Sequence, residues 1–315
     1  MDIRGARLLI TGATGFLGSA VVRHAVEAGA EVTALIRRGS ASWRLEPVRG
    51  RYHTVAAAAD DYRSLALDGD HRPDALVHCA ASGVNQKFDD VGDMVAVNVG
   101  GTLAALQLAT RVGARRFVLL GTSGEYGPGT GLSEGAPLRP TSEYGATRAA
   151  ATLLALTYGA RRGLPVTVLR PFSIFGPYEA AYRLVPHCVL RALAGEPLDI
   201  SAGSQTRDFV FLADVVRAVV AAAAQGPDRT IVNVCTGVST SVGSVAGLVA
   251  EIAGGTAPVQ AGAVDHIPGE MWMTSGDPST AAAVLQWAPR YGVREGLEET
   301  IDWFRSHRHL YARDE

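Results

Sequence analysis

The stretch TSEYGATRAA, Thr141 to Ala150, sets Tyr144 four residues before a cation, Arg148. One helical turn places the two on one face, where the positive charge favours phenolate and equips the tyrosine for general acid/base work. A tyrosine with an unperturbed pKa of about 10 is mostly protonated at neutral pH, so that role needs a cation close by. Of the 29 Lys+Arg residues only Lys87 is lysine, so an arginine at any cationic position is ordinary for this chain. The chemistry still differs, because guanidinium is bulkier than ammonium and does not release its proton.

A second chemical feature lies near the start. LLITGATGFLGSA places Gly12, Gly15 and Gly18 between an apolar strand and a helix. Glycines there permit a tight turn, close approach of backbone to a pyrophosphate and close helix packing, while the helix N-terminus attracts the phosphates. The next strand ends ALIRRGS, without the acidic residue that would bind an adenosine ribose diol. Arg37 and Arg38 stand instead where a 2′-phosphate would sit, which favours NADP over NAD by charge complementarity.

These residues need a scaffold, and the first half supplies its pattern. Short apolar runs RLLIT, EVTALI, ALVHCA, RFVLLGT and PVTVLR alternate with helical patterns near Leu17 to Glu27, Val95 to Arg111 and Tyr144 to Arg162. That alternation predicts an α/β fold, a Rossmann-type doubly wound parallel sheet, with strands buried on both faces. After RPFSIFGP the texture changes: a helix is expected over Leu184 to Ala194, RDFVFLADVVRAVVAAA reads as a strand running into a helix, and Gly254 to Pro278 as irregular. We assign residues 1–172 to a dinucleotide-binding domain with a return segment around 207–238. Residues 173–315 form mainly a smaller substrate-binding domain closing over the strand ends.

Composition narrows the function classes. A formal charge of -2 gives no general reason to expect nucleic acid or an anionic membrane as partner. Cys79, Cys188 and Cys235 are far apart and lack metal-ligand or disulfide-framework spacing, which fits a reducing cytoplasm and no metal. The N-terminus shows no signal-peptide series, and the apolar run VVRAVVAAAA is too short to span a bilayer.

Several motifs in order resemble the extended short-chain dehydrogenase/reductase family of nucleotide-sugar epimerases, dehydratases and ketoreductases. TGATGFLG is similar to its cofactor loop, HCAAS to the segment after the fourth strand, VNVGGT to its Asn-containing helix and GTSGEYG to its Ser/Thr segment. YGATR is similar to the family's YxxxK with arginine for lysine, RPFSIFGP to the opening of its substrate domain, and RDFVFLADVV to a later closing piece. The resemblance implies cofactor contacts from Gly12, Thr14, Gly15, Phe16, Leu17, Gly18, Arg37, Arg38, Ala80, Asn98, Tyr144, Arg148 and Pro171. It implies Tyr144 as acid/base on a sugar oxygen, Thr122 as the hydroxyl sharing that oxygen with Ser123 as the neighbouring alternative, and Arg148 as the supporting cation. Substrate contacts would come from Ser82, Thr122, Ser173, where the family often has Asn, and the diphosphate-binding candidates Arg183 and Arg207.

Family dehydratases carry carboxylates just after the threonine, as in TDEVYG. Here Gly124 takes the glutamate position and Glu125 is offset by one, which in a strand reverses the facing of the side chain. Elimination of water is therefore disfavoured. Singly, His78, His187, Cys188 and Glu125 read as core or rim residues. The expected protein is an NAD(P)-dependent 4-ketoreductase of a nucleoside-diphosphate sugar in a deoxysugar pathway, cytoplasmic and homodimeric. The alternatives are a UDP-sugar 4-epimerase with tightly bound NAD and a catalytically silent nucleotide-binding protein.

Overall fold

The Arg7–Thr11 strand, RLLIT, is flanked in parallel by Glu31–Ile36 on one side and Ala75–His78 on the other. Around it seven parallel strands run in the order Thr230–Val234, Val166–Pro171, Phe117–Leu120, Ala75–His78, Arg7–Thr11, Glu31–Ile36, His53–Ala56. The computed structural model describes residues 2–58, 62, 65, 72–83, 90–266 and 272–311; Lys87 and part of the expected irregular stretch 254–278 lie outside them. The chain moves outward from Arg7–Thr11 to His53–Ala56, then crosses back to Ala75–His78. That reversal opens a crevice at the carboxyl ends of two adjacent strands, where such sheets bind ligands.

The five expected strands are present. His53–Ala56, a short and largely exposed edge strand, was not among the expected strands. Ala75–His78, Phe117–Leu120 and Val166–Pro171 are buried at every position, as both faces of the sheet are covered. One face carries the helices Phe16–Glu27 and Leu212–Gln225, the other Thr102–Arg111 and Glu143–Arg162.

Glu143–Arg162 has clear local causes: the Ser142 hydroxyl accepts from the Gly145 N–H at 3.1 Å, Glu143 lies in the first turn, and Gly163 closes the helix at φ +67°. The helix expected from Val95 begins earlier, at Val91, and contains a π-helical stretch, Val95–Gly101. By length and composition 91–111 could cross a membrane. It instead buries Met94, Asn98 and Leu106 against the protein.

The later part of the chain has its own core, built from Leu184–Ala194, Val242–Ala253 and Val293–His307. It is stitched to the first half by a small sheet in which Gly129–Leu132 pairs with Met273–Gly276, which pairs with Thr206–Arg207. Buried Asp214 adds a further tie, accepting from the Arg217 guanidinium and from the backbone N–H groups of Arg290 and Tyr291.

Candidate active site

Gly12 follows the Arg7–Thr11 strand at φ +63°, and a Cβ there would lie 2.6 Å from the backbone nitrogen of Ala80. The loops after the two central strands therefore touch at the crevice, with no room for a side chain. A Cβ at Gly18 would lie 2.2 Å from the Gly12 carbonyl oxygen, which locks the Phe16–Glu27 helix against the turn. That helix has no side-chain N-cap bond and no acidic residue in its first turn. Its N–H groups and positive end are thus left for an anion beside Thr14, Gly15, Phe16 and Leu17. Arg37 and Arg38 are exposed just beyond the Glu31–Ile36 strand.

Across the crevice, Thr122 begins a 3-10 turn, Ser123–Glu125: its hydroxyl accepts from the Gly124 N–H at 3.2 Å. This corrects the expectation of a strand at Glu125. The carboxylate is turned into the protein because it accepts from the Thr122 N–H at 3.0 Å and, through its other oxygen, from Nε and Nη2 of Arg170 at 2.9 and 2.7 Å. Burial pushes the Glu125 carboxyl upward, opposed by the Arg170 and Arg148 guanidiniums. An oxygen receiving several N–H donors is in its acceptor-only, ionised form. Glu125 is completely buried, and no carboxylate stands at position 124.

The turn meets the Glu143–Arg162 helix through two glycines: a Cβ on Gly145 would lie 2.4 Å from the Gly124 carbonyl oxygen. This contact sets the turn that carries Thr122 against the start of the helix that carries Tyr144; both residues are half-buried, while Ser123 is buried within the turn. Arg148 lies on the same helix, only 2% exposed, with Nε and Nη1 buried and unpartnered. Its charge reaches His78, Cys79 and Glu125. Burial, then Arg148, push His78 down to about 3, so the imidazole that meets the Thr11 hydroxyl at 2.7 Å stays neutral. A buried guanidinium with unmet donors at the mouth of a glycine cradle fits the polar ribose region of a dinucleotide. The orphaned helix N-terminus fits its pyrophosphate.

Asn98 does a different task from direct contact alone. Its amide oxygen accepts from the Ser82 N–H, and its nitrogen donates to the Ser82 carbonyl and the Thr147 hydroxyl, all at 2.9 Å. Thr147 in turn donates to the Tyr144 carbonyl at 3.0 Å. The π-helical stretch thus clamps the Ser82 loop to the first turn of the Glu143–Arg162 helix. Thr147 was not singled out from sequence; its place between Tyr144 and Arg148 was the available signal.

Pro171 is buried at the end of its strand, and Ser173, half-buried, donates its N–H to the Asp208 carbonyl at 2.9 Å. Asp208, beside Arg207, also escaped the sequence reading. Its carboxylate accepts from the N–H groups of Thr236 and Gly237 and from the Thr236 hydroxyl, fixing the half-buried strand that carries Arg207. Arg183 stands apart from this group, Nε 3.4 Å from Glu179. Glu179 is buried, and burial raises its carboxyl to about 7 against the pull of Arg183. His187 is half-buried, and Cys188 is buried in the second core.

Comparison with known proteins agrees with this geometry. The family model for the NAD dependent epimerase/dehydratase family matches residues 8–235. The chain is 31% identical over 316 residues to the dTDP-glucose 4,6-dehydratase of Streptomyces griseus, covering 96% of this chain and 94% of that protein. It is 30% identical to the UDP-glucose 4-epimerase of Mycolicibacterium smegmatis strain mc(2)155, covering 95% and 99% respectively. The solved structure of MoeE5 in complex with UDP-glucuronic acid and NAD superposes with a TM-score of 0.84 at 32% identity, covering 96% of this chain and 100% of that one. With the glycine cradle, the Thr122 turn and the Tyr144 helix assembled at one crevice, the chain belongs to the NAD-dependent epimerase/dehydratase family of extended short-chain dehydrogenases/reductases, whose members act on nucleotide sugars.

Proposed function

We propose that this protein carries out oxidoreduction at C4 of a nucleoside-diphosphate sugar without eliminating water, in its simplest form as a 4-ketoreductase. The observation that carries the reading is the contrast at one turn: the Gly124–Gly145 contact sets the turn of Thr122 against the start of the Tyr144 helix, while the carboxylate of that turn, Glu125, is buried on Arg170. Elimination needs a group that removes a proton from carbon and one that protonates the departing hydroxyl. The turn offers neither.

The dinucleotide, when bound, supplies or accepts the hydride. Tyr144 passes its hydroxyl proton to the sugar oxygen as the ketone is reduced, and Thr122 holds that oxygen by a hydrogen bond. Arg148 adds a positive charge one helical turn after Tyr144. Asn98 and Thr147 keep the Tyr144 turn in register with the Ser82 loop. Arg207 and Arg183 are the candidates for the substrate diphosphate.

The exposed Arg37 and Arg38 support NADPH, a dissociable reductant suited to net reduction. A 4-epimerase is the second reading, supported by the 30% identity to a UDP-glucose 4-epimerase over almost the whole chain. The two part on one experiment: nucleotide released by acid from protein purified without added cofactor. A reductase emerges nearly empty, and an epimerase carries NAD(H) at about one per chain. The same reading includes a cytoplasmic homodimer.

A further inference from the structure

The chain has arginine where the family has lysine at 148 and, against the pattern of the family's dehydratases, a carboxylate at 125 rather than 124, and the fold buries both on elements that pack together. Arg148 and Glu125 are 2% and 0% exposed. They come from different elements, the catalytic helix and the turn after the Phe117–Leu120 strand, which pack directly on each other. Arg148 has no ion-pair partner among the described residues, and its Nε and Nη1 are unsatisfied. Glu125 is already held by Arg170 and by the Thr122 N–H. Glu125 is ion-paired with Arg170 alone, and the Arg148 charge acts on the same carboxyl from beyond ion-pair distance.

We infer that Glu125 is the counter-charge that admits a guanidinium beneath Tyr144, and that through it Glu125 sets the electrostatic potential at the reacting centre. Burying a guanidinium without a carboxylate is strongly unfavourable, so an arginine here needs an anion in reach. Glu125 does not touch substrate; it is a positioning residue. Its Oε1 also fixes the backbone of Thr122, so the turn that holds the sugar oxygen and the cation that supports Tyr144 share one anchor. The Gly121 backbone leaves this side chain little freedom, since a Cβ there would lie 2.5 Å from the same oxygen.

The inference deepens the reading of the Tyr144 site and rests on it only for the second of two measurements. The first is a folding cycle with E125Q, R148M and the double variant, followed by urea denaturation. Counter-charge predicts that E125Q is much more damaging with Arg148 present than in the R148M background, because only then is a second guanidinium left unpaired. Losses that simply add, or failure of E125Q to fold in both backgrounds, would assign Glu125 to Arg170 alone and overturn the inference.

The second measurement compares dissociation constants of E125Q for oxidised and reduced cofactor. The oxidised nicotinamide carries a positive charge, so losing a nearby anion should weaken the oxidised form by about threefold or more relative to the reduced form. Equal weakening of both would mean a purely structural role. The folding cycle reads no turnover, so it can fail while a keto-sugar is reduced and succeed where none is.

Discussion

The α-carbon of Gly145 packs so closely on Gly124 that a Cβ would sit 2.4 Å from the Gly124 carbonyl oxygen. This contact joins the element carrying Tyr144 to the one carrying Thr122. Gly145→Ala must push the helix start away from the turn, and misplacement of reacting groups by a fraction of an ångström to an ångström costs about 10²-fold in rate. We expect kcat to fall by roughly that factor with cofactor affinity changed far less, as read by steady-state kinetics and fluorescence titration with NAD(P)H.

Tyr144→Phe should lower turnover by about 10²- to 10⁴-fold, the usual range for a general acid/base, and leave cofactor binding nearly intact. Arg148→Ala should cut activity and weaken cofactor binding. Arg148→Lys separates two histories. Retained activity means the pocket still accepts the family geometry, and a large loss means it has adapted to guanidinium. An unchanged rate and unchanged cofactor affinity in Arg148→Ala would remove the arginine from the mechanism.

Most of the scaffold was legible because buried parallel strands leave continuous apolar runs and the glycine turn has its own spacing, as RLLIT and Gly12, Gly15, Gly18 illustrate. Tyr144, Arg148 and Thr122 could be named as candidates because one-turn spacing and motif order do not depend on tertiary detail. The facing of Glu125 was not, since a 3-10 turn and a strand cannot be told apart over so few residues, and its partner Arg170 lies 45 positions away. Asp208, Asp214 and Glu179 were hidden for the same reason: a buried acid is recognised by the donors that fold around it.

Replacing both Arg37 and Arg38 with neutral residues tests cofactor choice. Each charge-assisted contact to a 2′-phosphate is worth about 1.5 to 3 kcal/mol, so NADPH affinity should drop by an order of magnitude or more while NADH affinity is little changed. Equal effects in a titration with the two cofactors would remove the argument for NADP.

Glu179 gives a pH signature. Burial raises its carboxyl from 4.5 to about 7, so its contribution to stability is fully present below pH 4.5 and is lost as pH rises through 7. Relative to Glu179→Gln, the wild type should lose on the order of 3 kcal/mol between those limits. His78 works in the opposite direction, losing stability as pH falls from 6.5 toward 3, but is common to both proteins and cancels. Urea midpoints of the pair at pH 5 and pH 8 check the sign; a pH-independent difference would show that Glu179 stays ionised.

The outer faces of 91–111 and Glu143–Arg162 expose Val91, Val95 and Leu153 at 48%, 49% and 57%. The proposed homodimer would cover them. Light scattering should give twice the chain mass of 33.0 kDa, and Leu153→Glu should shift it toward the monomer. A monomeric wild type at working concentration would contradict the assembly.

The central claim is hydride chemistry at C4 without elimination, and it is tested most directly by product analysis. The purified protein is offered nucleoside-diphosphate 4-keto-6-deoxyhexoses with NADPH, and the parent nucleoside-diphosphate hexoses with NAD, and the products are identified by mass spectrometry. The account predicts that a keto-sugar gains two hydrogens as an equal amount of NADPH is oxidised, and that no parent sugar loses water. Formation of a 4-keto-6-deoxy product from a parent hexose would contradict it.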